Sequence, residues 1–258
     1  MAGLQRLVFG EVARSYDDVR AGYPAELGER IFAYAGGRFA VVEVGAGTGK
    51  ATAMFVAAGV PVTCVEPDPA MAEVLTERFG PRVRVAPVGF EEWRPPAGGV
   101  ALICASQSWH WVDPDIRWRR GCQALRPDGV LAVFGHSYAF ADAGLARAVH
   151  EEAYGRFAPQ LLGGAGDEAP QAWFHVEMAG SGLFVDVTTV ESAATVVYPR
   201  ARYRRLLETF SNHRMLPEQQ RLRLHDAIDE VVDGHGGVVE VRLDTVLTMG
   251  RRRGPASS

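Results

Sequence analysis

"FAVVEVGAGTGKATAMF", Phe39 to Phe55, decides how this chain is read. A largely apolar run, Phe39 to Val44, is a strand candidate, and a helix is expected from about Gly49 to Ala58. Between them glycines stand at alternate positions, Gly45, Gly47 and Gly49. A glycine-rich turn between strand and helix lets the backbone approach a nucleotide. The phosphate-binding pattern G-x-x-x-x-G-K-[ST] fails twice, because Val44 replaces its first glycine and Ala51 its Ser or Thr. The dinucleotide pattern G-x-G-x-x-G fails at Lys50. An acidic residue, Glu66, follows 21 positions after Gly45, about where a ribose-binding carboxylate belongs. Such a carboxylate accepts from a ribose diol and repels a 2′-phosphate. Glu43 adds negative charge beside the turn, which suits an ammonium or sulfonium better than a pyrophosphate.

The alternation continues outward. Val62 to Glu66 is a second strand; Asp68 can cap the next helix, Pro69 fits its first turn, and Gly80 with Pro81 ends it. Arg82–Ala86, Val100–Ala105 and Val130–Gly135 are further strands, and Pro95–Gly99 is a turn. Asp113 and Pro114 are expected to open a helix that ends near "RPDG", Arg126 to Gly129. Apolar strands separated by helices indicate a parallel sheet covered on both faces, a doubly wound α/β fold. After Gly135 the pattern changes. Helical stretches are expected near Ala141–Phe157, Arg202–Phe210 and Glu218–Val232, and long strands over Leu183–Glu191 and Val238–Gly250. The two late strands can form an antiparallel edge, with the helices between them folded over the top as a lid. Leu161–Pro170 reads as a mobile loop.

Composition narrows the class. A chain of 258 residues holds one or two domains, and its 47% hydrophobic content is that of a globular protein. A net charge of −4 gives no basic excess for nucleic acid. Cys64, Cys104 and Cys122 form no CxxC pair, so neither a disulfide framework nor a zinc site is expected, and no metal. The opening "MAGLQRLVFGEVARSYDD" meets charge too soon for a signal-peptide core, and no run approaches the roughly 18 apolar residues of a membrane helix. A soluble cytoplasmic protein, acting without membrane or nucleic acid as a monomer or homodimer, is the expectation.

In order and spacing, "VEVGAGTGK", "VEPDPAM", "VGFEEW", "ASQSWHWVDP" and "LRPDGVLAVF" resemble the motifs of class I S-adenosylmethionine (SAM)-dependent methyltransferases. The likeness covers roughly Tyr16 to Phe134. "SQSWHW" and "ARSYDDVRAGYP" resemble the branch acting on small molecules, including trans-aconitate-type carboxyl methyltransferases. The resemblance implies a Rossmann-like, mostly parallel seven-stranded sheet with an antiparallel edge and a helical lid. It implies one domain over 1–258: a cap at 1–38, a cofactor-binding core at 39–135, and remaining strands with lid insertions at 136–258. Gly45, Ala46, Gly47 and Gly49 would let the backbone approach the methionine part of SAM, beside Glu43, and Glu66 would hold the ribose. Pro67, Met71, Phe90 and Glu91 would surround the adenine, although Phe90 stands where the family commonly has a small or acidic residue. Ala105 and Gln107 would face the sulfur end, and Tyr16 and Arg20 would close over it. The products would be a methylated small molecule and S-adenosylhomocysteine (SAH).

Methyl transfer is a displacement at a carbon the cofactor has already activated. A carboxylate acceptor needs no base; a phenol or alcohol usually does. O-methylation, at a carboxylate as first choice, is the expected reaction. His110 is the candidate catalytic residue, as base or hydrogen-bond partner; the alternative is a loop anchor, with Trp109 and Trp111 as core. His136 and Tyr138 follow the fifth strand toward the same end; Tyr203, Phe210 and His213 of the lid could line an acceptor pocket, the alternative being ordinary helix packing. "RWRR" (Arg117–Arg120) and "RARYRR" (Arg200–Arg205) read as solvated helix faces, and Arg251–Arg253 as the end of a strand and the start of a frayed tail. Rival readings are a SAM-binding protein that uses the nucleoside without methyl transfer, a nicotinamide dehydrogenase, which Lys50 opposes, and a nucleic-acid methyltransferase, which the charge and the lack of a "DPPY" or "NPPY" run oppose.

Overall fold

A computed structural model describes residues 13–162 and 171–254. Seven strands form one sheet in the order β3-β2-β1-β4-β5-β7-β6. They are β1 (Val41–Val44), β2 (Val62–Val65), β3 (Val83–Ala86), β4 (Val100–Ser106), β5 (Leu125–Phe140), β6 (Phe184–Pro199) and β7 (Val238–Arg252). β1 to β5 pair in parallel, and β7 runs against both β5 and β6. The reversed strand thus lies inside β6, which forms the edge. Winding reverses between β1 and β4, where parallel sheets open a crevice at their carboxyl ends.

Both faces are covered. On one face α2 (Ala25–Ala35), α3 (Thr52–Ala57) and α4 (Pro69–Phe79) bring Ile31, Phe32, Phe55, Leu75 and Phe79 onto Val41, Val62, Leu102 and Ala132. On the other, α5 (Arg117–Ala124) and α7 (Gln171–Gly180) pack Trp118, Phe174 and Met178 with Trp109 against Val42, Ile103 and Leu131. The α4 boundaries follow the local signals. The Asp68 carboxylate accepts from the N–H groups of Ala70 (2.9 Å) and Met71 (3.2 Å), Pro69 stands in the first turn, and Gly80 ends the helix at φ 51°.

The helix expected from Asp113 starts only at Arg117. The Asp113 carboxylate accepts from Asp115 N–H (2.9 Å), so residues 113–116 close a local turn. That helix also ends earlier, at Ala124: "RPDG" is an irregularity within β5, with Asp128 at φ 60° and a register shift between the pairs Val100–Leu125 and Leu102–Val130. β6 continues past Glu191 to Pro199 because β7 pairs with it along that length.

β5, β6 and β7 overrun the shorter parallel strands and form a ribbon beyond the crevice. A helical layer rides on it: α6 (Ala143–Ala148), prolonged by a π-helical Val149–Tyr154, with α8 (Arg200–Leu207), α9 (Ser211–Arg214) and α10 (Glu218–Gly234). Val149, Leu206, Leu224, Ile228 and Val232 bury against Tyr198, Val239, Val241 and Leu243 of the ribbon. The short α1 (Ala13–Val19) lies between this layer and α4.

The arginine-rich stretches are not simple solvated faces. Arg117 is buried in an ion pair with Glu177, and Arg120 donates to the carbonyls of Phe90 and Trp93. Arg200 and Arg204 pair with Asp229, while Arg202 and Arg205 reach Asp18. Arg251 and Arg252 close β7 by donating to carbonyls of Tyr34, Asp128 and Leu125. Most of the expected loop, residues 163–170, and the last four residues of the expected tail lie outside the described residues, as do residues 1–12.

Candidate active site

The crevice at the carboxyl ends of the parallel strands spans about 1050 Å³ with the open solvent at its mouth included. Its floor is the glycine turn after β1, where three glycines serve different ends. Gly45 has φ 63°, and a Cβ there would meet Ser108 Cβ at 2.5 Å; the Ser108 hydroxyl donates to the Val44 carbonyl (2.5 Å) and locks the loops after β1 and β4 together. Gly47 has φ 56° and nothing within 4 Å of an added Cβ, so its backbone faces open space. Gly49, at φ 86°, is a correction. A Cβ there would strike Phe79 and come 2.6 Å from Leu75 Cδ1, and Gly49 packs α4 rather than lining the crevice.

Glu66 is buried at the end of β2. Its Oε2 accepts from Gly47 N–H (2.7 Å) and its Oε1 from Asp68 N–H (2.9 Å). A carboxylate has about four acceptor sites, so it can hold backbone and a diol together. It lines the crevice with Ala46, Pro67, Met71, Phe90 and Glu91, and Phe90 stacks on Trp93. Glu43 is also buried in the wall and accepts from the Thr52 hydroxyl (2.6 Å). Burial, with Glu66 close by, pushes its carboxyl up to about 8, so near neutrality it is largely protonated instead of adding the expected negative charge.

The other wall is aromatic. Tyr16 and Arg20 from α1 and its end, Tyr23, and Tyr138 and His136 from β5 line it. The Arg20 guanidinium donates to the Thr209 hydroxyl (Nε, 2.8 Å) and carbonyl (Nη2, 3.0 Å), with its carbon 4.4 Å from the Phe210 ring centre, 5.1 Å from Tyr16 and 5.2 Å from Tyr138. Among the described residues it makes no ion pair with a carboxylate. Lys50 does, with Asp17 (3.4 Å). His136 stacks on Tyr23 at 4.1 Å. Its Nε2 lies 3.2 Å from the Gly22 carbonyl, which can only accept, so Nε2 carries the proton and Nδ1 accepts from the Thr245 hydroxyl (2.7 Å). Burial lowers this imidazole to about 4, and with both nitrogens engaged it is a wall and not a base. Gln107 takes φ 56° and donates from Nε2 to the His136 carbonyl (2.8 Å).

Other expected residues lie elsewhere. On the 3₁₀ turn Trp109–Trp111 only Trp111 lines the crevice; Trp109 is core, and His110 is outside, lowered to about 4 by burial and then by Arg117. Ala105 is buried within β4, between Val44 and Val133 of the neighbouring strands, and Tyr203 and His213 belong to the helical layer, where His213 Nε2 meets the Tyr154 hydroxyl (3.0 Å) and Nδ1 meets His225 (2.9 Å). Sequence reasoning missed Tyr23, Thr48, Ser106 and Ser108 as lining residues. Ser106 and Ser108 flank Gln107 in "SQS", and Tyr23 closes "ARSYDDVRAGYP", so their place beside motif residues was the available signal. Among the described residues no helix is long and apolar enough to cross a membrane, and no cluster of His, Cys, Asp and Glu could hold a metal.

This is the crevice of a doubly wound sheet with a reversed seventh strand. Residues 41–129 match a family described as methyltransferase domain. An uncharacterized methyltransferase of Mycobacterium tuberculosis (strain ATCC 25618 / H37Rv) is 36% identical over 128 residues, 49% of this chain and 51% of that protein; the chain thus spans about half the length of the curated relatives it matches. A proposed type II methyltransferase from Anaeromyxobacter dehalogenans shares the fold over 92% of this chain and 99% of its own, at a TM-score of 0.63 and 22% identity. A Haemonchus contortus phosphoethanolamine N-methyltransferase, solved with SAM, does so over 94% of this chain and 57% of its own, at 0.55 and 12%. Residues 41–129 thus match a methyltransferase domain, and the chain shares the fold of solved methyltransferases.

Proposed function

We propose that this protein transfers the methyl group of SAM to a carboxylate oxygen of a small anionic acceptor. The observation that carries the reading is the balance of charge and bases along the crevice. Arg20 is a cation with no carboxylate partner among the described residues, and the polar groups near it offer no ready base. His136 is engaged at both nitrogens, Glu43 is largely protonated near neutrality, and burial raises the Tyr23 phenol well above its ordinary range. A site so built favours an acceptor that is already a nucleophile at neutral pH and carries negative charge.

The cavity fits the cofactor. Gly47 leaves the room a side chain would fill, and Glu66 stands where a ribose diol can reach it. When bound, SAM supplies a methyl carbon made electrophilic by its sulfonium. Transfer to an oxygen already negative would give an ester and neutral SAH, so the protein would have no proton to move. Arg20 orients the acceptor, Tyr16, Tyr23, Tyr138 and Trp111 exclude water, and in-line positioning supplies most of the rate.

Purified protein given methyl-labelled SAM and a panel of small carboxylic acids should form SAH together with base-labile methyl esters. The Arg20→Ala variant should lose at least about tenfold in kcat/KM for the acid, the value of one charge-assisted contact. Products methylated at nitrogen or carbon would overturn the oxygen assignment.

A further inference from the structure

α1 touches both halves of the site, and successive residues face opposite ways. Arg14 pairs with Glu77 of α4 (2.8 Å), and Asp17 sits between Lys50 (3.4 Å) and Arg78 (2.5 Å); Arg78 also donates to the Thr48 carbonyl of the glycine turn (2.9 Å). These bonds fasten α1 to the cofactor side. Asp18 faces the helical layer, pairing with Arg205 (2.7 Å), while Arg202 donates to its carbonyl (2.6 Å). The Tyr198 hydroxyl donates to the Val19 carbonyl (3.0 Å), and Arg20 donates twice to Thr209. Between the two sets of bonds, Tyr16 and Arg20 roof the crevice.

Thr209 is fully buried just past α8. Its hydroxyl accepts from Arg20 Nε and donates to the Leu206 carbonyl (2.6 Å), so both of its functions are in use. It is the point where the roof of the crevice is bonded to the helical layer from inside the protein.

We propose that Thr209 is a positioning residue which, through Arg20 and α1, couples occupancy of the cofactor crevice to order in the helical layer over the acceptor side, so that cofactor and acceptor each favour the other's binding. The proposal rests on the cofactor reading above. A ligand seated beneath Tyr16 holds α1 down. α1 held down presents Asp18, the Val19 carbonyl and Arg20 to α8 and Thr209. The coupling is reciprocal, as linkage requires. α1 has only seven residues, and most of its ties are partly exposed ion pairs, each worth little alone, so the strap sits at the low-stability end of the fold, where ligands shift populations.

Hydrogen exchange on the full chain, with and without SAH, tests this. SAH should slow exchange in α1 and also, by about tenfold, across residues 200–214, the size of an ordinary allosteric coupling. In Thr209→Val the protection of 200–214 should fall by about half, since the links through Asp18 and Val19 remain, while α1 stays protected and SAH affinity changes by less than about threefold, well under one such coupling. Thr209→Ser, which keeps the hydroxyl, should restore it. Asp18→Asn cuts the parallel link, should halve the effect, and serves if the valine variant does not fold. Full protection of 200–214 in both variants, or protection confined to α1 in the wild type, overturns the proposal. Failure of the wild type to bind SAH at all overturns the cofactor reading instead.

Discussion

The Gly47 N–H and the Glu66 carboxylate are joined by a 2.7 Å hydrogen bond that ties the turn after β1 to the end of β2. One carboxylate thus shapes the floor of the crevice and stands in it. Glu66→Ala should weaken SAM binding about 10- to 150-fold, the 1.5–3 kcal/mol of hydrogen bonds to a charged group. Glu66→Gln should cost less, since its amide oxygen still accepts. Calorimetric titration with SAM, and with NAD as control, reads both; an alanine variant that binds as tightly as wild type would remove Glu66 from the ribose.

Gly47 and Gly49 should respond differently to the same substitution. Gly49→Ala drives a methyl into Leu75 and Phe79 at a positive φ and should cost about 1–3 kcal/mol of stability. Gly47→Ala meets no protein atom, should cost about 1–2 kcal/mol from its left-handed backbone, and should lose cofactor affinity. Urea unfolding beside SAM titration separates the two.

Glu43, raised to about 8, ionises across the neutral range. A sulfonium favours the ionised form, so the affinity for SAM relative to SAH should rise from pH 6 to pH 8. Using the ratio cancels the α-amino group that both ligands share. Glu43→Gln should flatten the ratio, and a flat ratio in the wild type would place Glu43 away from the cofactor's charge.

Four histidines, three buried and His110 half-buried, set the acid limit. Burial lowers His110, His136 and His225 to about 4 and His213 to about 3, so between about 6.5 and 4 the unfolded chain binds more protons than the folded one. Their contribution is complete above about pH 6.5 and is lost as pH falls through that window, by up to about 1.4 kcal/mol per pH unit for each group. Glu43 has the opposite sign, its contribution falling as pH rises from about 4.5 to 8. Urea midpoints should therefore drop from pH 7 to pH 5, and Glu43→Gln should steepen the drop by removing the opposing group.

The cofactor half was legible because its causes are local. Asp68 and Pro69 start α4 wherever they occur before such a helix, and Gly47 needs no distant partner to take its backbone angle. Gly49 was misassigned because Leu75 and Phe79, which require it, lie a strand and a helix away. The far half of β6 was invisible for a related reason. Ser192 to Thr195 are exposed and show no apolar alternation, and they are a strand because β7 pairs with them. Around His110, adjacent residues on a tight turn point to different sides, and a motif names the turn without saying which ring faces the crevice. Tyr203 and His213 fit either a pocket wall or helix packing from sequence, and both are buried within the helical layer itself.

The overrun of β5, β6 and β7 divides the labour of the chain. The helical layer is founded on this ribbon, whereas the glycine turn, Glu66 and α4 stand on the short parallel strands. Side chains of the helical layer can therefore be exchanged, and its helices lengthened or replaced, while the floor of the crevice keeps its foundations. A scaffold of this kind can change its customer without changing its currency.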